Sequence, residues 1–150
     1  MSMVPTSVSL LATVANDQIT ACTISSLVSV NINNEFPAVL FVMKKGSITG
    51  YEVIKKGFFT INLLGERQAS FAEIYSSPRV IDQEIDSSVW ISDGNFVKLI
   101  NTRVTIYCKF YKKYCEFEAD IFIGSVVRFE LDQQIKPLIY NERTYCKFIR

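Results

Sequence analysis

Asp120-Ile121-Phe122-Ile123-Gly124-Ser125-Val126-Val127-Arg128-Phe129 is the stretch that decides the fold. β-Branched and aromatic residues fill it, no proline interrupts it, and its length suits a strand. Gly124 stands in its middle, where glycine marks a bulge or the close approach of another segment. The same character recurs towards the N-terminus. Residues 104–111 alternate in their first half and carry aromatics, and residues 58–64 and 38–43 are continuous apolar runs of strand length, as buried barrel strands are. Residues 7–14 and 19–24 flank the turn signal Asn16-Asp17-Gln18, which predicts a hairpin. Two short helices are expected between strands. One covers 48–55, with Ser47 at the N-cap position and Gly57 just past the end. The other covers 68–75, with Phe71, Ile74 and Tyr75 on one face and Ser77-Pro78 as its stop. Many strands with two helical plugs predict a mainly β chain, a barrel with helices over its openings.

The chain has 150 residues, one domain over 1–150 by ordinary size. Hydrophobic residues make up 49% and charged residues 21%, a globular balance that excludes disorder. Sixteen basic and fifteen acidic residues leave a net charge of +1, so no global field draws in nucleic acid or an anionic membrane. Histidine is absent, which removes Ser-His-Asp and Cys-His catalysis and the commonest metal ligand. Cys22, Cys108, Cys115 and Cys146 form no Cys-x-x-Cys pair, so no metal site is expected. Residues 1–11 lack a charged n-region and a long apolar run, and the free thiols suit a reducing compartment. Cytoplasmic location is the expectation, and no apolar run approaches the roughly 20 residues that span a bilayer.

Chemistry concentrates in two places. Ala21-Cys22-Thr23-Ile24-Ser25-Ser26-Leu27-Val28-Ser29-Val30 carries more hydroxyls than a strand needs. These either satisfy local backbone groups at a strand end or line a ligand with several hydrogen-bonding edges. Met43-Lys44-Lys45-Gly46-Ser47-Ile48-Thr49 follows a strand and opens a helix. It is either an ordinary cap with solvated lysines or an anion site made from first-turn N–H groups, hydroxyls and lysines. Asn62, ending an apolar run and followed by Gln68 and Phe71, caps its strand or bonds across to another element.

Taken together these pieces resemble the flavin reductase-like family, the reductase components of two-component flavin monooxygenases and their relatives. The similarity runs through Pro5-Thr6-Ser7-Val8, residues 23–30, Phe36-Pro37, and Ser47 with Thr49. It continues through Gly57, Phe59, Asn62, Leu64 and Gln68, then Ile123-Gly124 with Val126, Pro137-Leu138-Ile139-Tyr140, and Tyr145 to Phe148. The resemblance implies an FMN-binding split β-barrel of Greek-key type, a homodimer, and flavin near the dimer interface. It places Thr23, Ser25 and Ser26 at the polar edge of the isoalloxazine, with Ile24 in the same cofactor set, Ser29 and Val30 near the ribityl chain, and Ser47 and Thr49 on the phosphate with Lys44 or Lys45. Asn62 and Gln68 complete the implied cofactor set. Pro5, Thr6, Ala119, Tyr140 and Tyr145 are the implied substrate positions. The implied reaction is reduction of FMN, or FAD, by NADH or NADPH, with reduced flavin passing to a partner oxygenase or another acceptor. No catalytic side chain is required. One departure weighs on this. Where the family has a Gly-Asp-His-like step associated with the nicotinamide, this chain has Phe117-Glu118-Ala119. The alternative expectation is a flavoprotein of the same fold, an electron carrier or flavin-binding partner, without a productive nicotinamide site.

Overall fold

The computed structural model describes residues 3–31, 35–76 and 88–147. Among the described residues, twelve strands and two helices follow one another as β1 (Thr6–Ser7), β2 (Ser9–Ala15), β3 (Gln18–Ile24), β4 (Val28–Asn31), β5 (Ala38–Lys44), α1 (Ile48–Lys56) and β6 (Phe58–Leu63). Then come α2 (Ala69–Ile74), β7 (Trp90–Asp93), β8 (Phe96–Leu99), β9 (Val104–Glu116), β10 (Ala119–Leu131), β11 (Leu138–Asn141) and β12 (Thr144–Lys147). The mainly β expectation holds.

Seven strands form the main sheet in the order β3-β2-β6-β9-β10-β5-β4. β3 and β4 lie at opposite edges, yet only Ser25, Ser26 and Leu27 separate them in sequence. A flat seven-stranded sheet is about 29 Å wide, whereas that link reaches at most about 14 Å. The sheet is therefore rolled until its edges approach, although β3 and β4 share no hydrogen-bonded ladder and the barrel does not close. The rolled interior holds Leu11, Ile24, Val39, Phe41, Met43, Val53, Phe59, Ile61, Cys108 and Phe122. Phe41 stacks on Phe122 at 5.2 Å and meets Phe59 edge-on at 5.6 Å. Burial of each such ring contributes about 2–3 kcal/mol. A second core covers the outside of β2, where Leu10 and Ala12 meet α2, the β7–β8 hairpin and Leu138.

Several expectations needed correction. Residues 7–14 are not one strand. Val8 donates to Leu138 O at 3.2 Å while its own carbonyl accepts from Leu64 N at 2.9 Å, so the chain changes sheets there. β1 pairs with β11, and β2 pairs with β3 and β6. β9 and β10 each run to 13 residues, past the burial that the apolar pattern registers. β4, β7, β8, β11 and β12, four residues each, have no counterpart in the sequence expectations. The helix expectations hold within a residue or two, with Ser47 accepting from Gly50 N and Gly57 left-handed at φ 79°. The expected Ser77-Pro78 stop lies outside the described residues.

Gly124 behaves as expected. Register with β9 shifts beside it, and a Cβ there would stand 2.6 Å from Phe59 Cζ. Three hairpins turn through two residues with positive φ: Asn16-Asp17, Phe117-Glu118 and Glu142-Arg143. Asn and Asp suit that conformation. Phe117, at φ 50°, does not, and a bulky side chain there costs about 1–2 kcal/mol.

Candidate active site

The hydroxyl-rich segment is the seam of the rolled sheet. Thr23 belongs to the edge strand β3, so its N–H points off the sheet and donates to Tyr75 O at 3.2 Å, beyond the end of α2. Its hydroxyl donates to Ala72 O at 2.7 Å. Ile24 is buried in the rolled interior. Ser26 crosses the gap: its Oγ accepts from Val42 N at 2.9 Å and donates to Val42 O at 3.1 Å. It thus takes up the edge of β5 where β4 has ended. Ser25 and Ser29 are exposed, and Val30 is exposed beside Ser29. Of the hydroxyls, Thr23 and Ser26 bond to protein backbone and hold the seam together, while Ser25 and Ser29 are exposed.

The start of α1 lies close by. Ser47 caps the helix, and no acidic residue stands in the first turn. The first-turn N–H groups therefore keep their partial positive charge, which favours an anion. Lys44 pairs with Ala119 across the β5–β10 ladder. Lys45 N donates to Glu118 O at 3.3 Å, and its Nζ lies 3.9 Å from Glu118 Oε1. Thr49 is buried, and its side chain lies close enough to Cys22, the residue before Thr23, to favour the thiolate against burial. Burial pushes the Cys22 thiol up to about 12, so it stays protonated. Through this contact the structure brings the helix start and the seam together. The sequence reading did not single out Cys22 or Val42 for the site, because their role there comes from tertiary contact.

Of the other expected residues, Asn62, Gln68, Thr6, Tyr140 and Tyr145 lie on other elements, and Ala119 lies opposite Lys44. Asn62 is fully buried: Nδ2 donates to Leu10 O at 3.2 Å and to Thr60 Oγ1 at 2.9 Å, and Oδ1 accepts from Leu99 N at 3.0 Å. Gln68 is buried too, accepting from Gly65 N at 2.9 Å and donating to Ile100 O at 2.8 Å. The scaffold takes both donors of the Asn62 amide and bonds the Gln68 amide at its oxygen and its nitrogen. Thr6, Tyr140 and Tyr145 form one row across β1, β11 and β12, with the tyrosine rings 5.3 Å apart. Desolvation, then the neighbouring Glu73 and Tyr140, holds the Tyr145 phenol above its usual range. Pro5 is exposed just before that row. Ala119 sits at the first rung of the β9–β10 hairpin opposite Glu116, and its methyl offers neither a ring nor a hydrogen bond. The next residue, Asp120, is buried. Its Oδ1 has no hydrogen-bond partner and lies 3.5 Å from Lys113 Nζ. Among the described residues no cluster of Cys, Asp or Glu could hold a metal, and no helix is long and apolar enough to cross a membrane.

The fold has close relatives among solved structures. A Haemophilus somnus 129PT protein assigned as a flavin reductase superposes with a TM-score of 0.90 at 19% identity, covering 99% of this chain and 94% of that one. The NADH:FAD oxidoreductase SgcE6 of Streptomyces globisporus C-1027, in complex with NAD and FAD fragments, gives 0.88 at 17% identity over 99% and 88%. The styrene monooxygenase flavin reductase of Pseudomonas putida S12 gives 0.87 at 18% over 99% and 94%. At such identities these likenesses establish the fold. A comparison with the curated proteins found no match. The model of the flavin reductase like domain matches residues 1–148. The chain therefore belongs to the flavin reductase like domain family and is a flavin oxidoreductase.

Proposed function

We propose that the seam and the start of α1 together hold one flavin nucleotide, FMN or FAD, which a reduced nicotinamide nucleotide reduces for release to a partner oxygenase or another acceptor. The observation that carries this is the hydrogen-bonded seam, closed by Ser26 on Val42, set beside a capped helix start with no acidic residue in its first turn. The donor set fits such a ligand. Ser25, Ser29 and the backbone of residues 23–30 meet the ring edge and ribityl chain. Ser47, the first-turn N–H groups, Lys44 and Lys45 meet the phosphate, and Thr49, buried against Cys22, contributes its N–H. Asn62 and Gln68 support the site by fixing β6 and the loop before α2. When bound, flavin supplies the hydride acceptor, and the chain's residues bind and orient it. The rolled sheet is read as a split barrel of Greek-key type.

A homodimer is part of this reading. The outer face of the β4–β5–β10–β9 ladder carries rows of apolar residues, Val28–Leu40–Ile123 and Val42–Ile121–Tyr114. Val28, Val42 and Tyr114 are exposed on it. A second copy is the occupant, because the patch borders the seam at Val42.

The test is direct. Purified chain is expected to bind FMN or FAD and, under anaerobic conditions with NADH or NADPH, to bleach flavin faster than a protein-free control. No flavin bound by either route would overturn the reading. Ala119 favours one second reading, a flavin carrier without a nicotinamide site. Flavin bound but bleached no faster than the control selects it.

A further inference from the structure

We infer that Phe117 is a stacking contact for the flat ring of the nucleotide held beside α1. Phe117 and Glu118 close the β9–β10 hairpin between the paired residues Glu116 and Ala119. Both have positive φ, 50° and 61°. An L side chain as bulky as phenylalanine is rare in that conformation, where glycine sits without strain. The ring is 99% exposed, so it recovers nothing by packing within the protomer. A residue that strains its backbone and gains no contact inside the chain gains it from outside.

The position of the turn says from what. Glu118 O accepts from Lys45 N, and Lys44 pairs with Ala119, so the hairpin tip is tied to the loop that opens α1. The ring is thus carried on a tip whose neighbouring residues are joined to Lys44 and Lys45, just before the start of α1. An aromatic face next to an anion site suits a ligand that joins a planar heteroaromatic ring to phosphate. Flavin and the nicotinamide nucleotide share that chemistry. Ala119, two residues on, offers no ring of its own. The inference rests on the flavin-site reading above and adds the residue that meets a ring.

Phe117→Gly is the test, because it removes the ring while relieving the turn. Its thermal midpoint is expected at or above that of the parent. Loss of one stacking contact is expected to weaken the ligand about tenfold. Binding of FMN, FAD and NAD+ is measured separately by fluorescence and calorimetry, and steady-state kinetics divide KM from kcat. Raised Kd for flavin names the isoalloxazine as the stacked ring. Raised Kd and KM for the nicotinamide nucleotide alone names the donor. Phe117→Trp is expected to restore affinity, with an exposed tryptophan fluorescence that the stacked ligand quenches. Wild-type Kd and KM values in the glycine variant would overturn the inference and leave the flavin site standing. A glycine variant that instead changes from dimer to monomer overturns it as well, by placing the ring on a second copy. If the parent chain binds no flavin, both fail together.

Discussion

At the residue scale, two polar residues show how burial and partners decide a role that residue type leaves open. Asn62 was legible as a polar residue closing an apolar run. Its saturation was not, because Leu10 and Leu99 come from β2 and β8, and only Thr60 is a neighbour on its own strand. Asn62→Ala leaves Leu99 N buried without its Oδ1 partner, and such a group costs about 1–3 kcal/mol. The expected result is a lower urea midpoint with unchanged flavin Kd in the folded fraction. A weakened Kd at unchanged stability would show that Asn62 meets the cofactor directly. Glu130 is the electrostatic counterpart. It bonds Lys98 Nζ at 2.7 Å, Tyr107 OH at 3.1 Å and Arg128 Nη1 at 3.1 Å, while Arg128 also bonds Asp93 and covers the Tyr107 ring at 3.6 Å. The Lys98 bond, with Tyr107 and Arg128, holds the Glu130 carboxyl below its usual range. A folded pKa below the unfolded one gives stability that is present above the unfolded value. That stability is lost as pH falls through the folded value. Half-exposed ion pairs are worth at most about 1 kcal/mol. Glu130→Gln is therefore expected to lower stability slightly at pH 7, with the gap to the parent closing in acid.

At the element scale, α1 was legible because its signals are local. Ser47 and Gly57 cap it with their own backbone neighbours, and these positions can be read from spacing alone. The four-residue strands were not, since β4, β7, β8, β11 and β12 are too short for a period to register. The outer halves of β9 and β10 were missed for the opposite reason. From Lys109 to Glu118 the hairpin is largely exposed, so its length is fixed by ladder pairing rather than by an apolar face. The two caps of α1 also separate stability from binding. Gly57→Ala puts a Cβ at φ 79° and is expected to cost about 1 kcal/mol with flavin affinity intact. Ser47→Ala removes the cap at a similar cost of about 1 kcal/mol. It is further expected to weaken FMN more than riboflavin, which lacks the phosphate. Equal losses for FMN and riboflavin would remove the helix start from the phosphate site.

At the scale of the whole molecule, the decisive quantity is the shortness of the link between two edge strands. Ser25-Ser26-Leu27 forces the rolled form, and rolling brings the hydroxyls of one segment to the seam while leaving the outer face of β4, β5 and β10 apolar. No sequence pattern displays a seam, because it exists only between strands far apart in the order of the sheet. The resemblance supplied what periodicity could not. The same geometry sets the dimer prediction. Val42 has its backbone held by Ser26 and its side chain on the uncovered face, in one row with Ile121 and Tyr114. A charge there leaves the ladder and the core intact, since the side chain is exposed within one protomer. If two copies meet on that face, Val42→Asp places two unpaired carboxylates in a closed apolar contact and the pair separates. Analytical ultracentrifugation is expected to show twice the chain mass for the parent and the single-chain mass for Val42→Asp, with circular dichroism unchanged. Flavin affinity is expected to fall with dissociation, because the seam opens beside that face. A variant that remains a dimer would move the interface elsewhere, and a parent that is a monomer would separate flavin binding from assembly altogether.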